Sequence, residues 1–199
     1  MSRIIICRHG NTFDNGDKVT RVGARTDLPL SSSGILQSKN LKEYFHSNNY
    51  NFKKAYCSVL ARTQQTAQII LEGEHNVKSP KILNFLKEVD YGPDENKNEE
   101  QVIGRIGREA LKSWDQHAIV PDGWNISPNK IISSWRSFLE VQTENSDILV
   151  VTSNGIARFL LQSLAYSPEV RDIKLKTGAF GLLTKTTVGF SIAKWNQRP

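Results

Sequence analysis

The chain has 199 residues, 38% hydrophobic and 23% charged, with a formal net charge of +6. A chain of this length and ordinary globular composition buries about 70% of its unfolded surface, so its core depends on neither disulfide nor metal. Basic residues are spread along the chain rather than clustered, which excludes a nucleic-acid stripe, while the mild excess suits anionic ligands. The two cysteines, Cys7 and Cys57, lie in or beside apolar stretches with no metal-ligand spacing to a histidine, so reduced, buried thiols are expected. No apolar run approaches the ~20 residues that span a bilayer. The first strand starts at once, leaving no room for a signal peptide, so a cytoplasmic protein without membrane contact is expected.

In chain order, the unbroken apolar run at residues 4–7 predicts a buried strand of a parallel sheet, with Arg8, His9 and Gly10 at its carboxyl end. Open α/β sheets bind ligands at that end. A guanidinium fork suits phosphate, and the adjacent imidazole is either a nucleophile toward phosphorus or simply the polar end of a strand. Residues 14–26 read as a loop, and Ser31 to Ser33 offer capping hydroxyls to a helix over 35–46, where Leu41 and Phe45 are four apart. A strand is predicted over 54–58 and a helix over 61–71. The mixed pattern of 81–89 stays unassigned. Residues 90–101 are too polar for a core element and read as a mobile loop or lid.

Two helices follow, over 102–118 and 128–143, joined by Pro121, Asp122 and Gly123. The apolar run at 147–152 predicts a second buried strand. Ser153, Asn154 and Gly155 turn it into a helix over 156–164, whose free N–H groups either favour an anion or are capped by those same side chains. Residues 180–185 and 190–195 alternate around Gly189 and predict a hairpin at one sheet edge. The expected fold is one α/β domain over residues 1–199, a three-layer structure whose mostly parallel sheet carries helices on both faces and a C-terminal antiparallel hairpin. That hairpin edge leaves the oligomeric state open. His46, His75 and His117 read as surface residues, and Trp114, Trp124, Trp135 and Trp195 as core or edge packing, Trp124 near the site mouth.

Several segments together resemble the histidine phosphatase superfamily, which includes the phosphoglycerate mutases. Arg8-His9-Gly10 with Thr12 and Asn15, residues 25–30 with Gly34, Ser58-x-Leu60-x-Arg62 with Gln65-Thr66-Ala67, and Glu88 with Gly92 and Glu95 follow in that family's order. The resemblance implies that His9 takes the phosphoryl group while Arg8, Asn15 and Arg62 hold its oxygens. Glu88 would serve as acid and then base, with Asp90, Asp94 and Glu95 as nearby alternatives. No metal or cofactor is implied, and the partner is a small phosphorylated substrate.

One position departs from the pattern. The family's second histidine is replaced by Ser153, although Asn154, Gly155 and Arg158 fit. Exchanging a charged for a neutral hydrogen bond loses about 1 to 2 kcal/mol, or roughly five- to thirtyfold in rate. The expected activity is phosphomonoester hydrolysis through phospho-His9. The alternatives are a phosphoglycerate mutase, disfavoured by the limited sequence between Glu88 and the second strand-turn-helix unit, and a phosphate-binding pseudoenzyme.

Overall fold

A computed structural model describes residues 2–143, 145–164 and 172–199. Six strands form one sheet in the order β3-β2-β4-β1-β5-β6. Strands β1 (Arg3–Arg8), β2 (Phe52–Cys57), β3 (Lys81–Ile82) and β4 (Asp147–Thr152) are mutually parallel. Strands β5 (Phe180–Thr186) and β6 (Gly189–Gln197) form the antiparallel hairpin that continues the sheet beyond β1.

Side chains alternate across a strand, which divides each apolar run between two cores. On one face, Ile5, Cys7, Leu149 and Val151 pack against Leu41 and Phe45 of α1 (Ser32–Ser47) and Ala67 and Ile70 of α2 (Ala61–Leu71). On the other, Ile4, Ile6, Ile148 and Val150 share a core with Trp114 of α4 (Arg108–His117), Trp135 of α5 (Pro128–Glu140) and Phe159 of α6 (Asn154–Ser163). Helices on both faces explain why β1 and β4 read as continuous apolar runs rather than alternating ones. Among the described residues, no helix is long and apolar enough to cross a membrane. Both cysteines are free and buried, and loss of solvent raises the Cys57 thiol to about 11.

The sheet register sets the location of the site. Arg8 pairs with Thr152 across β1 and β4, and Cys57 with Val151 across β2 and β4. The next residues, His9, Ser153 and Ser58, therefore leave the sheet at one carboxyl end, as the two strand-turn-helix units predicted. Helix α1 begins where Ser31 Oγ accepts the Gly34 amide.

Two readings are corrected and one open stretch is resolved. The helix expected over 102–118 is two helices, α3 (Glu99–Ile106) and α4, separated at Gly107 with φ 81°, a conformation that L side chains rarely adopt. Helix α3 also starts earlier, because Asn98 and Gln101 form a reciprocal capping box. The unassigned stretch at 81–89 holds only the two-residue β3 and a 3-10 turn, Asn84–Leu86, both too short for periodicity. Residues 90–101 are a tied segment rather than a lid. Tyr91 and Asp94 are buried, Asp94 pairs with Arg105 and accepts from Trp124 Nε1 at 2.6 Å, and Asp90 bridges to Asn125. Their polarity is consumed by internal partners.

Candidate active site

Arg8 ends β1 and His9 follows it. The Arg8 amide donates to Ala179 O at 3.0 Å and the His9 amide to Thr152 O at 3.1 Å, which fixes both residues to neighbouring strands. The His9 ring is buried, and its Nδ1 lies 2.7 Å from Gly10 O. A carbonyl only accepts, so Nδ1 carries the proton and Nε2 keeps its lone pair. Arg62 Nε donates to that Nε2 at 3.2 Å. Burial first, then the charges of Arg62 and Arg8, hold the His9 pKa well below the usual histidine range. The ring is therefore a neutral, oriented imidazole.

Arg62 lies in the first turn of α2 and is fully buried. Its Nη1 donates to Thr26 O at 2.9 Å and its Nη2 to Gly23 O at 3.2 Å, so the guanidinium is gripped from behind by the loop over β1. Arg8 Nη1 donates to Leu175 O at 3.0 Å, while its Nε is buried without a partner among the described residues. Asn154 Oδ1 accepts from the Leu175 amide at 2.9 Å, so Asn154 and Arg8 share one backbone support.

Glu88 is buried at the start of α6. Its carboxylate accepts from the Val89 amide at 2.9 Å and the Gly155 amide at 3.4 Å. The acceptor seated at that helix N-terminus is thus the chain's own Glu88 side chain. A Cβ at position 155 would stand 2.3 Å from Glu88 Oε1, so the close approach requires glycine there.

These groups border a cavity of about 470 Å³ lined by Arg8, His9, Glu88 and Asn154, joined by Arg21 and Arg158. The Arg158 guanidinium stacks 4.0 Å from the Trp114 ring, and Arg21 sits 5.1 Å from both Tyr91 and Trp124. Among the described residues, Arg8, Arg21, Arg62 and Arg158 take part in no ion pair. Four guanidiniums at or beside one cavity, none of them in an ion pair among the described residues, favour an anionic ligand. Also among the described residues, no group of three or more His, Cys, Asp and Glu is placed to hold a metal ion.

The structure brings Arg8, His9, Arg62, Glu88 and Asn154 together and treats two other candidates differently. Ser153 is fully buried beside them, outside the cavity lining, and its Oγ has neither a helix-capping bond nor, among the described residues, any other partner. Asn15 is exposed in the turn closed by the Asp17 amide on Asp14 O and does not line the cavity. Asn11 does line it. Sequence reasoning passed over Arg21 and Tyr91, because nothing in the spacing of the loop over β1 or of residues 90–101 marks a side chain turned inward. His46, His75 and His117 are exposed.

The depressed His9 pKa carries a stability consequence. Its folded value lies below the unfolded value of about 6.5, so on acidification the unfolded chain binds the proton first. The stability held by the neutral ring is complete above about pH 6.5 and is lost as pH falls toward the folded value. Urea unfolding at about pH 7.5 and about pH 5 is expected to show a larger acid loss for wild type than for His9→Gln, by up to about 1.4 kcal/mol per pH unit. Equal losses would place the protonated ring in the folded state.

Residues 4–198 match the model of the histidine phosphatase superfamily, branch 1. A phosphoglycerate mutase from Schizosaccharomyces pombe is 34% identical over 158 residues, covering 76% of this chain and 74% of that protein. A 2,3-bisphosphoglycerate-dependent phosphoglycerate mutase from Buchnera aphidicola subsp. Cinara cedri is 25% identical, covering 88% of this chain and 90% of that protein. The solved alpha-ribazole phosphatase of Shigella flexneri, 21% identical, shares the fold with a TM-score of 0.75 over 98% of this chain and 96% of its own. With a family match along nearly its whole length, the chain belongs to the histidine phosphatase superfamily and is an enzyme of the phosphatase or phosphoglycerate mutase kind.

Proposed function

We propose that this enzyme hydrolyses small phosphomonoesters, without a metal, through a phosphohistidine on His9. The observation that carries the reading is the neutral His9 ring, with its Nε2 lone pair presented beside Arg62 and Arg8. In the first step Nε2 bonds to phosphorus, the bond from phosphorus to the ester oxygen breaks, and Glu88 gives that oxygen its proton. In the second, Glu88 takes a proton from water, the water oxygen bonds to phosphorus, and the P–N bond breaks to restore the lone pair. Arg62 passes its Nε–H from the imidazole to a phosphoryl oxygen as substrate enters, and the unpartnered Nε of Arg8 offers another donor. The free, buried thiols fit a reducing compartment such as the cytoplasm.

Ser153 faces the same chemistry. Its hydroxyl is buried with no capping role and no hydrogen-bond partner among the described residues, and a phosphoryl oxygen would satisfy it. The names of the two curated relatives favour a second reading, in which phospho-His9 passes its group to a phosphoglycerate instead of water.

The test is inorganic phosphate release from a panel of phosphomonoesters with chelator present, alongside isomerisation of 3-phosphoglycerate. Release without isomerisation supports the hydrolase, and isomerisation without release the mutase. Within the active assay, Ser153→Ala is expected below wild type and Ser153→His above it by roughly five- to thirtyfold, the value of a charged over a neutral donor. Equal rates in all three would remove Ser153 from the site. Phosphate binding with no turnover in any form would mark a pseudoenzyme.

A further inference from the structure

Glu95 lies outside the cavity lining and makes no hydrogen bond to His9 or Arg62, yet its carboxylate organises the loop that grips Arg62. Oε1 accepts from the Gly23 amide at 3.1 Å, the Arg25 amide at 2.8 Å and Thr26 Oγ1 at 2.9 Å. Oε2 lies 3.3 Å from the donating Tyr91 amide. Two of the three loop residues so held, Gly23 and Thr26, supply the carbonyls that take both terminal nitrogens of Arg62. With each terminal nitrogen held by the loop, the Nε–H of Arg62 is directed at His9 Nε2.

We propose that Glu95 is a positioning residue for phosphoryl transfer, setting the Arg62 guanidinium on the nucleophile through the carbonyls of Gly23 and Thr26. A carboxylate suits the task, because all four of its observed hydrogen bonds are accepted ones and an amide would turn its own N–H toward one of those donors. The packing says the same. A Cβ on Gly23 would stand 2.3 Å from Glu95 Oε2 and 2.6 Å from the Tyr91 ring, so glycine is needed for the carboxylate to reach the loop. The loop has further anchors. Ala24 N donates to Val89 O at 3.0 Å and Arg25 pairs with Asp90, so neutralising Glu95 shifts the two carbonyls without melting the segment.

This inference rests on the proposed role of Arg62 and is tested by coupling to it. In wild type, Glu95→Gln is expected to lower kcat/KM about tenfold and Glu95→Ala about a hundredfold, by loss of charged hydrogen bonds. In an Arg62→Gln background Glu95→Gln is expected to change the rate less than about twofold, since contacts in one network are not additive. Equal losses in both backgrounds would reduce Glu95 to a structural staple. A second route needs no turnover. The ¹⁵N resonance of His9 Nε2 is expected to move in Glu95→Gln in the direction it moves in Arg62→Gln, and an unmoved resonance overturns the proposal. Gly23→Ala, which displaces the carboxylate while keeping its charge, is expected to move it likewise and serves if a Glu95 variant fails to fold. Should His9→Ala retain hydrolysis, the functional reading fails while the resonance still decides the role of Glu95.

Discussion

His9→Ala is expected to lower kcat/KM for phosphomonoester hydrolysis on the order of 10⁴- to 10⁶-fold, the scale on which removal of a nucleophile acts. The size follows from the lack of a substitute. His46, His75 and His117 are all exposed and away from the cavity, and the cations that line it offer no free lone pair. His9→Gln is expected to be similarly slow, because the amide supplies volume and polarity but no nucleophilic nitrogen. Steady-state phosphate release, with circular dichroism as a check on folding, measures both variants. A loss below about tenfold in either would mean that phosphorus is attacked by another group.

Glu88→Gln carries the second largest expected effect, and its size depends on the ester. General acid catalysis contributes about 10²- to 10⁴-fold where the leaving group needs a proton. Alkyl phosphates are expected to lose rate on that scale, whereas activated aryl phosphates, which leave as stable anions, lose much less in the first step. The amide keeps an oxygen for the Val89 amide at the cost of the longer bond from the Gly155 amide, so circular dichroism checks that the start of α6 stays folded. A rate comparison for an alkyl and a nitrophenyl ester reads the difference. Equal losses for both would give Glu88 a structural role and return Asp90, Asp94 and Glu95 to consideration. The geometry already separates those three. Asp94 is consumed by Arg105 and Trp124, Asp90 by Arg25 and Asn125, and Glu95 by the loop of residues 23–26.

The parts of the fold legible in the sequence were those where local pattern and burial agree. The runs at β1 and β4 are covered on both faces, so their central residues had to be apolar, and the polar residues that follow them then announced the site end of the sheet. Helix α2 was readable end to end from Ala61 to Leu71 because its apolar positions repeat at helical spacing. Other elements depended on tertiary partners. Two residues of β3 are a strand only because Tyr56 and Cys57 lie beside them. The division at Gly107 had a local cue in the glycine, but Ile103, Ile106, Ala110 and Trp114 recur at helical spacing across it and concealed the break.

The same distinction governs the site. Arg8, His9, Arg62 and Glu88 stand in short segments whose order carries the family pattern, and each has a hydrogen-bonded place in or beside the cavity. Residues 90–101 misled because charge is read as solvation, whereas here Asp94 and Glu95 are turned inward onto donors of which all but the Tyr91 amide lie 11 to 72 positions away in the chain. Pairing over such separations leaves no trace in spacing. Arg21 is of the same kind, an arginine in a polar loop whose stacking on Tyr91 and Trp124 exists only once the fold has formed.

Covalent transfer to His9 is the claim on which the rest depends, and rapid quenching of wild type with a labelled phosphomonoester, followed by peptide mapping, addresses it. The expected result is one phosphoryl group per chain, on the peptide containing His9, stable in alkali and lost in acid. Glu88→Gln, slowed in the hydrolytic step for an activated ester, is expected to accumulate it further. Phosphate release at the wild-type rate with no labelled peptide, or label on any residue other than His9, would contradict the account.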